Sequence, residues 1–182
     1  MYKLMTIISK IIFTLFFRVS VEGCINLPEN QNYIICCNHI HMIDPGILMI
    51  STKKPIRFVV KNELMHTPIV KNIMKGCNVI PVRRGETDIS AIKSMIKALK
   101  NNEVLGLFPE GTRHKDGEFK DIKEGAALIA CKTNVPIIPT RICGKYKLFS
   151  KIKYKIGEPI YTEGKTKEEV TKELFNSIEK LK

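Results

Sequence analysis

The sequence predicts an α/β fold with a largely parallel central sheet flanked by helices, preceded by one amphipathic amino-terminal helix. Three observations carry this reading. Beyond residue 30, short β-rich runs alternate with segments of helical period, the signature of strand–helix–strand units. A chain of 182 residues with 44% hydrophobic content suits one domain with a proper core. The chemically unusual residues fall in loops that follow strands, where open α/β sheets build their sites.

The amino-terminal segment 3–18 reads KLMTIISKIIFTLFFR. Leu4, Ile8, Ile11, Ile12 and Leu15 share one helical face, and Lys3, Thr6, Lys10 and Thr14 the opposite one. Ile7, Phe13 and Phe17 add apolar character to the polar side. As a helix, Leu4 to Phe17 is about 21 Å long at 1.5 Å per residue. That is short against a hydrocarbon core of roughly 30 Å. Lys10 interrupts the run and no small-residue cleavage site follows, so a signal peptide fits poorly. The reading favours a helix lying in a membrane interface over an ordinary packing helix. Residues 1–20 are therefore expected to form a membrane-associated helix, and 21–182 a single α/β domain.

Strands are expected at Tyr33–Cys37, Ile56–Val60, Val79–Val82, Val104–Phe108, Ile137–Arg141 and Lys151–Ile156. Ile89, Ile92, Met95, Ile96 and Leu99 mark an amphipathic helix with Lys93, Lys97 and Lys100 turned to water. Glu124–Cys131 reads as a second helix, stopped before Val135-Pro136. A last helix starts at Thr166, with Glu169 completing a capping box, and buries Val170, Leu174, Ile178 and Leu181. Pro136 and Pro139 bracket an apolar pair and suggest an edge strand or a strand start beside the site. The alternating lysines of 151–155 read as one solvated face or a lysine-protected edge.

Lys and Arg total 30 against 18 Asp and Glu, a net charge of +12. This excess calls for an anionic partner: nucleic acid, an acidic membrane surface or a phosphorylated substrate. The lysines are spread over helix faces and one strand, with no aromatic-interleaved patch and no nucleic-acid-binding module, which argues against nucleic acid. Cys24, Cys36, Cys37, Cys77, Cys131 and Cys143 include no Cys-x-x-Cys pair. They read as small buried hydrophobes of a reducing compartment rather than staples or metal ligands.

Four loops carry candidate chemistry. The first is Asn38-His39-Ile40-His41-Met42-Ile43-Asp44-Pro45. A His followed five positions later by Asp can supply an imidazole base and the carboxylate that orients it. Asp44 can equally serve as a helix N-cap before Pro45, and His41 competes for the base role. The second is Ile80-Pro81-Val82-Arg83-Arg84-Gly85, whose two arginines at a strand end suit bidentate phosphate binding or a plain solvated end. The third is Phe108-Pro109-Glu110-Gly111-Thr112-Arg113, where Gly111 permits a tight turn and close ligand approach. Glu110 and Arg113 could also pair with each other. Val135-Pro136-Ile137-Ile138-Pro139 is the fourth.

Taken together and in order, these four segments resemble the four blocks of the glycerolipid acyltransferases, over nearly the whole chain. The resemblance implies acyl transfer from a thioester of acyl carrier protein or coenzyme A to the free hydroxyl of 1-acyl-sn-glycerol 3-phosphate, a step of phospholipid biosynthesis. Glycerol 3-phosphate or another lysophospholipid is the alternative acceptor, and a non-enzymatic basic membrane- or nucleic-acid-binding protein the remote one. It implies His39 as base with Asp44 as its partner, and Arg83, Arg84, Glu110, Gly111, Thr112 and Arg113 in substrate binding. His114 stands where relatives often carry serine, and Arg83 where they carry an acidic or variable residue. The reaction so implied uses the acyl thioester as co-substrate, with no metal and no other cofactor. The implied partners are lysophosphatidate and an anionic membrane surface, with the protein peripheral or monotopic on the cytoplasmic face of the membrane. An acyl-cysteine route through Cys36 or Cys37 is the competing chemistry, disfavoured by their apolar strand.

Overall fold

Alternation along one strand organises the molecule. In the computed structural model, which describes residues 1–28, 30–83, 88–114 and 118–182, strand β2 (Ile34–Cys37) is buried throughout. Its side chains leave on opposite faces: Ile34 and Cys36 join one apolar cluster, Ile35 and Cys37 another. A strand buried on both faces needs helices on both faces. On the first side, β2 meets α4 (Ile89–Lys100), α5 (Gly125–Thr133) and α6 (Lys167–Lys180) through Met95, Leu99, Ile129, Leu174 and Ile178. On the second, α1 (Tyr2–Phe16) and α2 (Asp44–Ser51) supply Phe13, Ile47 and Leu48.

The remaining described strands are β1 (Arg18–Glu22), β3 (Ile56–Lys61), β4 (Ile80–Val82), β5 (Val104–Leu107), β6 (Ile137–Gly144) and β7 (Lys151–Ile156). Their order is β1-β7-β6-β2-β5-β3-β4, with only the β6–β7 pair antiparallel. The predicted largely parallel sheet between helices is therefore the observed one. A short 3₁₀ turn (Asn62–His66) and α3 (Pro68–Gly76) link β3 to β4. The α6 capping box forms as read, with Thr166 and Glu169 satisfying each other's backbone N–H groups.

Three expectations change. β6 is not an edge: it pairs with β2 on one side and β7 on the other. Pro139 is tolerated because its missing N–H faces the β7 side just beyond the last paired residues, Thr140 and Ile156, where its carbonyl accepts from Gly157 N–H. β7 is not an edge either, since β1, absent from the expected strands, covers it in parallel from Arg18–Lys151 to Glu22–Lys155. Phe13 does not widen the polar face of α1; it is buried against the body, at 3% exposure. Leu4, Ile8, Ile11 and Leu15 are exposed together with Ile7.

The two face helices meet closely. A Cβ on Gly46 of α2 would lie 2.8 Å from Ser9 Oγ and 2.9 Å from Phe13 Cε2 of α1. The Tyr2 hydroxyl accepts from Ile56 N–H at 2.9 Å, which pins the start of α1 to β3. Among the described residues, no helix is long and apolar enough to cross a membrane.

Candidate active site

β2 and β5 are hydrogen-bonded parallel neighbours, so their carboxyl ends open side by side. That placement brings the first and third loops together. Asn38 ends β2 by clamping β6: its Nδ2 donates to Ile142 O at 3.0 Å and its Oδ1 accepts from Ile142 N–H at 2.7 Å. The next residue is thereby aimed at the mouth of the sheet.

His39 Nδ1 lies 2.7 Å from Asp44 Oδ2. The same oxygen accepts from Ile40 N–H at 2.8 Å and His41 N–H at 2.7 Å. Asp44 is completely buried, and a buried carboxylate needs such donors. It is the first residue of α2; the N-cap is Ile43, so the N-cap reading gives way to a carboxylate folded back into its own loop. The start of α2 also favours negative charge there. The His39 ring stacks on Phe108, with centroids 4.0 Å apart and planes 20° apart. Packing and the bond to Asp44 together fix the ring and leave Nε2 free of that partner.

His41 is built differently. Its Nδ1 accepts from Ile43 N–H at 3.4 Å, and its ring stacks on Tyr146 at 4.4 Å. Asp44 receives its backbone, not its imidazole.

The β5 loop locks onto the first. Glu110 Oε2 accepts from His39 N–H at 2.8 Å, and His39 O accepts from His114 N–H at 2.8 Å. Glu110 is 5% exposed, and burial raises its pKa above the ordinary glutamate value, opposed by the His39 N–H and by His114, whose Nε2 is 3.8 Å from Oε1. The carboxylate is thus turned inward to His39, while Thr112 and Arg113 are exposed. Gly111 adopts φ +72, a conformation that favours glycine, and the ammonium end of Lys123, from Cδ to Nζ, lies over it.

Tyr146 completes the arrangement: its hydroxyl donates to Asp44 Oδ1 at 2.5 Å. Burial, then the Asp44 charge, pushes the phenol pKa far above its usual range, so it stays a donor. Sequence reading missed it, because 102 residues separate it from Asp44 and no local pattern marks it. It missed Lys123 as well, whose N–H donates to Pro109 O at 2.9 Å. The only cue there was a lysine just before the α5 helix.

Among the described residues of the second loop, Arg83 does not join this cluster. Arg83 follows β4, two strands beyond β5 in the sheet, is exposed, and donates its N–H to Asp88 Oδ2 at 3.0 Å. Arg84 lies outside the described residues. Cys36 and Cys37 are fully buried, and burial raises both thiol pKa values, which suppresses the thiolate an acyl-cysteine would need. Cys77, Cys131 and Cys143 are half-buried and Cys24 is exposed, so burial does not describe all six.

A family model described as Acyltransferase matches residues 18–143, which contain the His39–Asp44 and Glu110 loops. A 1-acyl-sn-glycerol-3-phosphate acyltransferase of Bacillus subtilis (strain 168) is 34% identical over 167 residues, covering 88% of this chain and 83% of that protein. One from Borreliella burgdorferi is 31% identical over 136 residues, 74% of this chain and 54% of that protein. The crystal structure of the 1-acyl-sn-glycerophosphate acyltransferase PlsC from Thermotoga maritima superposes with a TM-score of 0.83 at 30% identity, over 99% of this chain and 78% of the other. With a family model spanning well over half its length, this chain belongs to the acyltransferase family.

Proposed function

We propose that the protein transfers an acyl chain from an acyl thioester to the free hydroxyl of 1-acyl-sn-glycerol 3-phosphate, making phosphatidate. The observation that carries this reading is the 2.7 Å contact between His39 Nδ1 and buried Asp44 Oδ2. Such a pair holds the proton on Nδ1 and keeps Nε2 as a base. Nε2 takes the hydroxyl proton as the acceptor oxygen bonds to the thioester carbonyl carbon. The tetrahedral intermediate collapses, the carbon–sulfur bond breaks, and the leaving thiolate takes the proton back from His39. Side chains alone supply this acid–base chemistry, and acyl carrier protein or coenzyme A presents the same thioester to it. The names of the similar proteins support lysophosphatidate as acceptor.

Arg113, Arg83 and Arg84 are the proposed phosphate ligands: Arg113 has Gly111 and Thr112 beside it in the loop that Glu110 ties to His39, and Arg83 and Arg84 follow β4. The exposed apolar side chains of α1 support a peripheral or monotopic seat on the membrane, at its cytoplasmic face, where acyl thioesters are made available. An anionic bilayer also suits the net charge of +12.

The test is phosphatidate formation by purified full chain in liposomes, with each donor thioester and each acceptor supplied separately. Lysophosphatidate is expected to be acylated and the His39→Ala variant to be inactive. Acylation of glycerol 3-phosphate or another lysolipid alone would sink the acceptor assignment, and activity surviving His39→Ala would sink the base.

A further inference from the structure

The loop between β6 and β7 is short, ordered by its own hydrogen bonds, and exposes two large apolar side chains at its tip. Ser150 N–H donates to Lys147 O at 3.0 Å, closing a turn whose central residues are Leu148 and Phe149. The Ser150 hydroxyl donates to Lys145 O at 2.5 Å. Leu148 is 64% exposed and Phe149 61%. Phe149 has φ +59, a left-handed conformation that turns ordinarily assign to Gly or Asn. A bulky aromatic there is held against its own backbone preference and against water at once. Folding alone would favour a glycine.

The tip is joined to the amino-terminal helix. Phe149 N–H donates to Phe16 O at 2.7 Å, and Arg18 N–H to Ser150 O at 2.9 Å. Leu15 and Phe16 at that end of α1 are themselves exposed. The surrounding charge is of one sign: Lys145, Lys147 and Lys151 flank the tip, all exposed, and no acidic residue occurs between Arg141 and Glu158. The other side of the loop carries Tyr146, bonded to Asp44 and edge-on to Phe17 at 5.6 Å and 80°.

We propose that Leu148 and Phe149 form a second membrane-inserting element, a wedge that enters an anionic bilayer beside α1 while its flanking lysines engage lipid headgroups. Apolar side chains ringed by lysines match an anionic interface in both of its layers. Because Tyr146 ties this loop to Asp44, the wedge seats the mouth of the site at the lipid surface. The inference rests on the reading of a lipid acceptor, since only a bilayer-borne substrate gives the seat a purpose.

The chain contains no tryptophan, so one introduced indole reports alone. Phe149→Trp and, separately, Leu148→Trp are titrated with phosphatidylcholine vesicles with and without phosphatidylglycerol. The expected result is a shift of emission to shorter wavelength with the anionic vesicles, and quenching by brominated acyl chains. A Leu148→Ser/Phe149→Ser variant is expected to need about tenfold more lipid for half-binding. Water-like emission at both positions overturns the wedge, whether or not the chain sediments with vesicles. So does a shift produced by acyl carrier protein but not by lipid. The readout needs no turnover: failed acylation with an intact shift would strike the acceptor assignment and leave the wedge standing.

Discussion

Tyr146 donates its hydroxyl hydrogen to Asp44 Oδ1, while His39 and two backbone N–H groups share Oδ2. The carboxylate therefore has both oxygens committed, and Tyr146 is the sole long-range donor among these partners. It is a positioning residue: it holds Asp44, which in turn holds the His39 ring.

Tyr146→Phe keeps the stacking on His41 and removes only the hydroxyl. Leaving one Asp44 oxygen short of a donor is expected to cost about 1–3 kcal/mol of stability. A fall in kcat of about tenfold with KM little changed is expected, as is a displaced pH–rate profile. Steady-state kinetics across pH, with thermal unfolding alongside, check this. An unchanged profile together with an unchanged rate would mean that Tyr146 is structural only.

The two histidines of the first loop separate cleanly. His39→Ala is expected to lower kcat/KM by roughly 10²–10⁴-fold, the range of a lost general base. His41→Ala, which removes one ring contact to Tyr146, is expected to cost no more than about tenfold. Equal losses from the two variants would refute the assignment.

Glu110 makes a signed prediction about pH. Its pKa is raised in the folded protein by burial, so its contribution to stability is full below the unfolded value and is lost as pH rises through the folded one. Glu110→Gln keeps an acceptor for His39 N–H and escapes this titration. The melting temperature of the variant minus that of the parent is expected to grow from about pH 4 to about pH 7. A difference that is flat or falls over that window contradicts the burial argument.

Gly46 tests how α1 is held. Gly46→Leu drives a side chain into Ser9 and Phe13, where even a Cβ meets atoms at 2.8 and 2.9 Å. Overpacking of this kind is expected to cost about 1–3 kcal/mol and to loosen α1 from α2. Limited proteolysis should then release the amino-terminal helix before the body is cut; simultaneous digestion of both would show that the helix is not independently docked.

Much of this architecture was legible locally. Strand β7 begins and ends at the residues expected, because Lys151–Ile156 alternates strictly and turn residues bound it. The α6 start was legible because a capping box is a pattern of neighbours, Thr166 and Glu169. β1 was not, since Arg18–Glu22 is almost wholly exposed and is held as a strand by pairing with β7 rather than by its own apolar pattern. The edge reading of β6 failed for a related reason: Pro139 forbids one hydrogen bond, and only the tertiary pairing tells which neighbour would have asked for it.

The sequence by itself determined the alternation of strands and helices, the amphipathic amino-terminal helix, and the spacing that puts His39 and Asp44 in one loop. These depend on residues a few positions apart, where periodicity, capping and turn chemistry act. Only the tertiary structure decided which histidine meets the carboxylate, that Glu110 binds the His39 backbone, and that Tyr146 closes the network from 102 residues away. Those contacts come from strand order, with β2 beside β5 and β6, and hydrogen-bond geometry across neighbouring strands is set by the sheet as a whole.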